Sequence, residues 1–265
     1  MTAITALMRS LAPGDYQDGP PRLDAMAQFA DGMRLAARQH KQAQLVYVRT
    51  GVLRVTTAAA TWTVPPLRAL WIPPETRHDV VMVGDVTMRT LPVEPRLAGE
   101  LWAECRIIEV TGLLRALILH ILDEPLDSLS SERGGLMSKL VLHELREAGA
   151  VPLQLPMPRE PRLLKICHAL IAHPESNDTL DAWAAHAGAS TRTVARLFKI
   201  ETGLSFGEWR QHLRLTESLC RLVAGTAVAE VASRLGYRSS SAFIAMFRRA
   251  LGATPHRYLR PPRSH

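Results

Sequence analysis

The residues between Thr179 and Tyr258 contain one pattern twice, and this repeat limits the possible folds more than any single motif. The first copy places five residues at intervals of 4, 10, 5 and 6: Ala184, Gly188, Phe198, Gly203 and Trp209. The second copy uses intervals of 4, 11, 5 and 6: Ala232, Gly236, Phe247, Gly252 and Tyr258. The single extra residue fits a turn better than the interior of a packed helix.

Each copy predicts a short helix, a tight turn and a longer helix. In the first copy the short helix is indicated by apolar residues at helical spacing: Leu180, Trp183, Ala184 and Ala187. Gly188 ends this helix in a left-handed conformation, and Ser190 or Thr191 caps the next one. The longer helix has an apolar inner face and a basic outer face: Val194, Leu197 and Phe198 inside, Arg192, Arg196 and Lys199 outside. This layout is that of a helix-turn-helix.

The second copy predicts the same unit. Its short helix has four apolar positions: Val228, Val231, Ala232 and Leu235. The turn is Gly236, Tyr237 and Arg238, three serines at 239–241 open the longer helix, and its inner face is Phe243, Met246 and Phe247. Between the copies, residues 205–223 predict a helix with a capping box of Ser205 and Glu208. Such a helix is roughly 28 Å long, so two recognition helices about one turn of B-DNA apart could enter successive major grooves.

The positive charge of the chain is concentrated in the same region. Residues 159–265 contain 16 Lys and Arg against 8 Asp and Glu, whereas the remaining residues contain 16 against 17. This distribution is typical of a nucleic-acid-binding domain joined to a neutral domain.

This region resembles the DNA-binding domain of the AraC/XylS family of bacterial transcription regulators, over AGASTRTVARLFKIETGLSFGEWRQHLRL and VAEVASRLGYRSSSAFIAMFRRALGATPHRYLR. The resemblance runs from about Pro161 to Arg260. Its most specific part is the second half, with the Ala-x-x-x-Gly-Tyr turn, Phe243 and Phe247, and Thr254-Pro255-x-x-Tyr258 after Gly252.

The resemblance implies a monomeric domain with two helix-turn-helix units that binds DNA asymmetrically and usually activates transcription. It places six residues near base edges: Arg192, Ala195, Arg196, Ser240, Ser241 and Ile244. Ala195 and Ile244 are apolar, so they would contact thymine methyl groups. The expected DNA-binding set also includes neighbours that hold the helices or contact phosphates: Thr191, Thr193, Lys199, Arg238 and Arg248. The first unit is expected to carry more of the sequence reading.

The composition predicts a soluble globular protein of two domains. The chain has 265 residues, of which 47% are hydrophobic and 22% charged, and no apolar run approaches the length of a membrane span. We expect no signal peptide, because the first twelve residues lack a basic segment followed by a long apolar core. Three widely spaced cysteines, Cys105, Cys167 and Cys220, favour a reducing cytoplasm over disulfides or structural zinc.

Short strands with Pro and Gly between them are predicted before residue 95. They lie at 44–49, 52–57, 61–64, 69–72, 78–83 and 86–91, with turns at Thr50-Gly51 and Gly84-Asp85. Regular short strands of this kind predict a small antiparallel barrel or sandwich.

This stretch resembles the cupin-type sensor domain at the N-terminus of many AraC-family members, over HKQAQLVYVRTGVLRVTT and TWTVPPLRALWIPPETRHDV. Metal-binding cupins have three histidines and a carboxylate; here Arg38 and Gln44 replace the first histidine and the carboxylate, leaving His40 and His78. Two imidazoles and an amide are a poor set for a first-row divalent metal. We therefore expect His40 and His78 to line a ligand pocket with Gln44, Tyr47 and Trp71. Metal ligation by the two histidines, or packing of these side chains as core, stays open.

Two amphipathic helices are predicted within 96–150. Their apolar stripes are Leu113, Leu114, Leu117, Ile118, Ile121 and Leu122 in the first, and Leu136, Leu140, Val141 and Leu145 in the second. They pack against the barrel or across a two-fold axis. In the family such a pair commonly carries dimerisation, and we expect a homodimer.

We therefore expect an α+β protein: a small antiparallel cupin-like β-barrel with a following helix pair, and a C-terminal all-α domain with two helix-turn-helix units. The segments are a loose arm (1–21), the sensor barrel (22–95), the helix pair (96–150), a proline-rich spacer (151–161) and the DNA-binding domain (162–260). The helix-turn-helix units occupy 180–201 and 228–250.

The expected function is that of a cytoplasmic, sequence-specific transcription regulator, an activator that senses a small molecule. Its partners would be double-stranded DNA, an unidentified small-molecule effector, RNA polymerase and a second copy of the chain, without a membrane, a metal or a cofactor. A cupin-type metalloenzyme with an accessory DNA-binding domain is the alternative. An architectural or RNA-binding protein fits the charge but not the two helix-turn-helix units.

Overall fold

The computed structural model describes residues 27–93, 98–123 and 131–259. The chain forms two compact units. Of the described residues, those up to 55 and within 64–151 form the first unit, and those within 56–63 and from 152 to 259 form the second. The expected N-terminal arm (1–21) lies outside the described residues. None of the described helices is both long enough and apolar enough to cross a membrane.

The first unit is built on an antiparallel sheet. Its strands are β1 (Ala27–Phe29), β2 (Arg34–Arg38), β3 (Ala43–Thr56), β5 (Arg68–Ile72), β6 (His78–Val93) and β7 (Arg106–Glu109). β1 and β2 pair with β6, β6 neighbours β3, β3 pairs with β5, and β5 pairs with β7. The expected antiparallel sheet with helices is confirmed, but among the described strands this path does not close into a barrel.

Two predicted turns lie inside long strands. The strands predicted at 44–49 and 52–57 form one strand, β3, and those predicted at 78–83 and 86–91 form β6. Gly51 and Gly84 adopt left-handed φ angles of 72° and 70°, and both strands continue through them instead of turning back as hairpins. A Cβ on Gly51 would lie 2.6 Å from a Val86 methyl carbon, so this close approach of β3 and β6 requires glycine.

Two helices cover one face of this sheet, α1 (Gly112–Asp123) and α2 (Glu132–Glu147). They share one apolar core with the strands, which contains Leu114, Leu117, Ile118 and Ile121 of α1 and Val141 and Leu145 of α2. The predicted stripes are only partly buried, because Leu113, Leu136 and Leu140 are exposed. The side chain of Leu122 lies outside the described set.

The second unit holds the remaining strands and helices. β4 (Ala60–Val64) begins within its 56–63 segment, and Ala60, Thr61 and Trp62 pair antiparallel with β8 (Gln154–Pro156), a strand inside the expected proline-rich spacer. The helices are α3 (Pro161–Ala172), α4 (Leu180–His186), α5 (Thr191–Thr202), α6 (Phe206–Val223), α7 (Val228–Arg234), α8 (Ser240–Leu251) and α9 (Pro255–Tyr258). The all-α C-terminal domain with two helix-turn-helix units is confirmed: α4 with α5, and α7 with α8.

Candidate DNA-binding interface

The turn between α4 and α5 is set by local backbone interactions. The Thr179 hydroxyl caps α4 by accepting from the Ala182 N–H at 3.3 Å. Gly188 then turns the chain with a left-handed φ of 64°. Ser190, not Thr191, caps α5, because its hydroxyl accepts from the Thr193 N–H at 3.2 Å. The chain thus turns sharply into a helix whose N-terminus is held in place.

The inner face of α5 anchors the helix in an apolar core. Val194 and Phe198 are buried against residues of α3 and α6: Leu163, Ile166, Cys167, Leu170, Phe206, Trp209 and Leu213. The Phe198 ring meets the rings of Phe206 and Trp209 edge-on, at centroid distances of 5.6 and 6.2 Å. Gly203 ends α5 with a φ of 73°, and its N–H donates to the Lys199 carbonyl at 3.1 Å. Packing against its neighbouring helices fixes which face of α5 is left outside.

The outer face of α5 is exposed and basic. It presents Arg192, Ala195, Arg196, Lys199 and Ile200. Arg192 and Arg196 are exposed and form no hydrogen bond or ion pair with another residue in the described part of the chain. Lys199 is held locally, since its Nζ donates to the Gly203 carbonyl at 2.9 Å and lies 4.0 Å from a Glu208 carboxylate oxygen.

The two predicted threonines beside this face have intramolecular partners. The Thr191 hydroxyl donates to the Asp181 carboxylate, and the Thr193 hydroxyl lies 2.9 Å from that of Ser190. Both side chains are half-buried. These bonds tie the start of α5 to α4 and to its own cap.

The second unit repeats the construction with different side chains. Ser239 caps α8 by accepting from the Ala242 N–H at 3.2 Å, and Gly252 ends it with a φ of 74°. Phe243, Met246 and Phe247 are buried, and the Phe247 ring lies 5.7 Å from that of Tyr258. Five residues of α8 are exposed: Ser241, Ala242, Ala245, Arg248 and Arg249. Ser240 and Ile244 are half-buried at the edge of this face, and Arg238 is exposed in the turn.

An alignment of the two repeats shows how the outer faces of α5 and α8 differ. When Phe198 is aligned with Phe247, Arg192 corresponds to Ser241 and Arg196 to Ala245. The first unit therefore presents long guanidinium groups early in its recognition helix, whereas the second presents short side chains there and arginines only in its last turn. The exposed Ile200 and Ala245 are not among the predicted site residues, although this alignment places both on the outer faces.

The connection between the units is the capped helix α6. Both bonds of the predicted capping box are present: the Glu208 N–H donates to the Ser205 hydroxyl at 3.3 Å, and the Ser205 N–H to the Glu208 carboxylate at 2.7 Å. Trp209 is fully buried, and its indole N–H donates to the Pro156 carbonyl of β8 at 2.7 Å. This bond attaches the expected spacer to α6.

The five predicted effector-binding residues do not form one group. Tyr47 and Trp71 belong to the core beneath α1 and α2, and the Trp71 indole N–H donates to the Trp102 carbonyl at 2.9 Å. Gln44 is buried between Ala43 and Leu45 of that core and, since side chains alternate along a strand, points to the opposite face of the sheet. The structure thus gives Tyr47 and Trp71 a packing role.

The two predicted histidines lie together. The His40 and His78 ring centroids are 5.4 Å apart, and His78 is buried. Nδ1 of His78 lies 2.8 Å from the Thr76 carbonyl, so it donates and leaves Nε2 as an acceptor. Burial lowers the pKa of His40 to about 4, helped by the nearby His78 and Arg38. Burial also lowers the pKa of His78, against the opposing effect of its bond to Thr76. Both rings are therefore neutral at neutral pH.

Among the described residues, no three His, Cys, Asp or Glu side chains are grouped as a metal ion would require. Within that part of the chain, the two histidines therefore lack the third ligand that would complete a metal site. The two imidazole rings can act as hydrogen-bonding groups.

Comparison with known proteins gives two family matches along the chain. The profile of the AraC-like ligand binding domain matches residues 24–172, and that of a Helix-turn-helix domain matches residues 183–261. The HTH-type transcriptional regulator NimR of Escherichia coli (strain K12) is 33% identical over 229 residues, which cover 86% of this chain and 84% of that protein. The chain belongs to the AraC family of transcription regulators. This AraC-family regulator therefore combines a ligand-binding domain with a helix-turn-helix DNA-binding domain.

Two shorter similarities concern the helix-turn-helix region of this AraC-family regulator. The HTH-type transcriptional activator RhaR of Yersinia pseudotuberculosis serotype O:1b (strain IP 31758) is 33% identical over 69 residues, or 25% of this chain and 23% of that protein. The solved DNA-binding domain of AdpA in complex with a target DNA is 31% identical, with a TM-score of 0.34. It covers 36% of this chain and 86% of that one.

Proposed function

We propose that α5 and α8 lie in two successive major grooves on one face of the duplex and that both read its sequence. The observation that carries this proposal is the exposed face of α5, where Arg192 and Arg196 have no partner among the described residues. The length of α6, about 27 Å for its 18 residues, suits two helices separated by one turn of B-DNA.

The exposed residues take different roles in this arrangement. Arg192 and Arg196 donate to guanine edges, which a guanidinium does with two parallel hydrogen bonds. Ala195 and Ile244 contact thymine methyl groups, and Ser240 and Ser241 offer short hydroxyl contacts. Lys199, Arg238 and Arg248 contact phosphates and so position the domain on the duplex. Thr191 and Thr193 hold the start of α5 in place through their bonds to Asp181 and Ser190.

Selection of random-sequence DNA by the full-length protein, at two salt concentrations, tests this proposal. We expect an asymmetric site with two preferred blocks about one helical turn apart. A site with only one block would mean that α8 holds phosphates without reading bases. No enrichment at either salt concentration would contradict sequence-specific binding by the protein without its effector.

We further propose that the N-terminal unit binds a small molecule and that His40 and His78 hydrogen-bond to it. Nε2 of His78 is a buried hydrogen-bond acceptor. In ligand sites, which are mostly apolar, a small number of such polar groups fix the orientation of the ligand and provide specificity. A screen of small polar metabolites by thermal shift, repeated with His78→Leu, tests this. An effector that stabilises both proteins equally would place the binding groups elsewhere in the unit.

A second copy of the chain is the proposed partner of the first unit. Leu136 and Leu140 lie one turn apart on α2 and are 61% and 38% exposed, and Leu113 of α1 is 49% exposed. Exposed apolar side chains that lie together, as Leu136 and Leu140 do on α2, mark interaction surfaces. We expect sedimentation to give a dimer that Leu136→Glu converts to a monomer, whereas Glu132→Ala on the same helix leaves the dimer intact. A monomeric wild type would refute this surface.

We infer that the protein activates transcription through RNA polymerase and acts in the cytoplasm, as a regulator and not an enzyme. The similarity to the activator RhaR supports the direction of regulation, and three free cysteines suit a reducing compartment. Metal analysis of purified protein separates this from the metalloenzyme alternative. Stoichiometric iron, manganese or zinc that disappears in His78→Ala would support the enzyme.

A further inference from the structure

Arg214, in the middle of α6, is a buried charge with an unusual set of partners. Arg214 is 8% exposed. Nε donates to the Pro174 carbonyl at 2.9 Å, and one terminal nitrogen donates to the carbonyls of Glu175 and Ser176 at 3.3 and 2.8 Å and to Asn177 Oδ1 at 3.1 Å. A buried guanidinium requires such compensation. All four acceptors lie in the segment 174–177.

The segment 174–177 leads directly into the first helix-turn-helix. Thr179, the residue that caps α4, follows it after Asp178. A second arginine of α6, Arg210, donates to the Asp178 carbonyl at 2.8 Å and stacks over the ring of Phe206. The start of the first unit is therefore held by two arginines spaced one helical turn apart.

The same segment contacts the turn of the second helix-turn-helix. The Asn177 side-chain amide donates to the Gly236 carbonyl at 3.0 Å. A Cβ on Gly236 would lie 2.3 Å from the Glu175 carbonyl oxygen. The Arg214 guanidinium also lies 5.5 Å from the centre of the Tyr237 ring, which in turn packs against Phe243 of α8. Arg214 thus contacts both the segment that leads into the first helix-turn-helix and the turn of the second.

This close contact is not a general requirement of the helix-turn-helix turn. Gly188 holds the same place in the first unit with nearly the same φ, and a Cβ there would meet no atom within 4 Å. The turn geometry alone needs only a left-handed residue. The crowding at Gly236 therefore reflects the contact of this turn with the 174–177 segment.

We propose that Arg214 is a positioning residue that fixes the separation and rotation of α8 relative to α5, and thereby the spacing of the two DNA blocks that the protein accepts. The inference rests on the proposed function, in which both helices read bases. Moving one block by a single base pair shifts it along the duplex by about 3.4 Å and rotates it by about 36°. A rigid contact between the units prevents α8 from following that change.

Random-sequence selection with full-length Arg214→Met, compared with wild type, tests the inference. Methionine keeps an unbranched apolar side chain but removes every hydrogen bond and the charge. For wild type we expect one dominant spacing, and an affinity about tenfold lower for a duplex whose spacing differs by one base pair, which corresponds to the loss of about one good base contact. For Arg214→Met we expect a broader range of spacings and a difference below about threefold between these duplexes.

Arg210→Met is the matched control, because Arg210 bonds the same part of the first unit from the same helix. It should keep the wild-type spacing preference. Far-UV circular dichroism and thermal unfolding verify folding, and if Arg214→Met does not fold, Tyr237→Leu removes the ring contact from the other side and should broaden the spacing in the same way.

The outcomes distinguish a failure of the positioning role from a failure of the proposed function. Weaker binding by Arg214→Met with an unchanged spacing preference would overturn the positioning role and leave α6 alone as the determinant of spacing. A single block selected by wild type would overturn the proposed function itself, and the inference with it.

Discussion

Replacement of Gly188 and Gly236 by alanine tests whether the turn of the second helix-turn-helix touches the 174–177 segment, because the two glycines are equivalent in the repeat but differ in their surroundings. Both have left-handed φ angles, 64° and 72°. An alanine in that conformation costs about 1–2 kcal/mol. This cost applies at both positions.

At Gly236 a second cost is added. The new Cβ would lie 2.3 Å from the Glu175 carbonyl oxygen and 3.0 Å from its carbonyl carbon. Backbone atoms must move to relieve this contact, and they belong to the segment that Arg214 holds. Overpacking of this kind costs about 1–3 kcal/mol, so we expect Gly236→Ala to lower the free energy of unfolding by about 2–5 kcal/mol in total.

Urea unfolding of the full-length protein, followed by far-UV circular dichroism, measures the difference. Seven of the nine helices named above belong to the C-terminal unit, so the helical signal reports mainly on it. The two units can unfold separately, so the midpoint of the helical transition is compared between variants. Equal midpoint shifts for the two variants, or a larger shift for Gly188→Ala, would refute the contact between Gly236 and the 174–177 segment.

Three further predictions concern single side chains. Arg196→Ala should cost about 1–3 kcal/mol in DNA binding and relax base preference at one position, whereas Lys199→Ala should weaken all sequences alike and lower the salt slope by about one; a uniform loss in Arg196→Ala would make that residue a phosphate contact. Because the folded-state pKa of His40 is lowered from 6.5 to about 4 and that of His78 is also lowered, the unfolded chain binds more protons below pH 6.5, and stability should fall from there towards pH 4. Urea midpoints should therefore depend less on pH in His40→Gln, and an unchanged profile would contradict the assignment. Trp209→Phe should cost about 1–3 kcal/mol in thermal or urea unfolding, since it leaves the β8 carbonyl without its donor; a loss below about 0.5 kcal/mol would mean that water replaces the indole.

The secondary structure of the DNA-binding domain can be predicted from the sequence because the residues that begin and end its helices act locally. Gly188, Gly203, Gly236 and Gly252 all have left-handed φ angles where the repeat requires a helix to end. The serines at 190, 205 and 239 each accept the expected capping bond. Such features depend on a residue and its neighbours within one turn.

The strands of the N-terminal unit are harder to predict from the sequence, because a glycine can either form a hairpin turn or lie within a continuous strand. The sequence predicts hairpin turns at Gly51 and Gly84, yet each lies within a long strand. A left-handed glycine occurs in both settings, and only the neighbouring strand decides between them. The predicted effector-binding residues do not share one face of the sheet. Gln44 and Tyr47 are an odd number of positions apart, so their side chains point to opposite faces of β3.

By itself, the sequence determined that this protein has two helix-turn-helix units, a basic C-terminal half and an antiparallel sheet with helices before it. Helical periodicity, capping residues and charge are written in short stretches of chain. Only the tertiary structure decided that Arg214 joins the 174–177 segment to the turn at Gly236. That contact brings together residues some sixty positions apart along the chain, and a buried guanidinium finds its acceptors through packing, which no local pattern encodes.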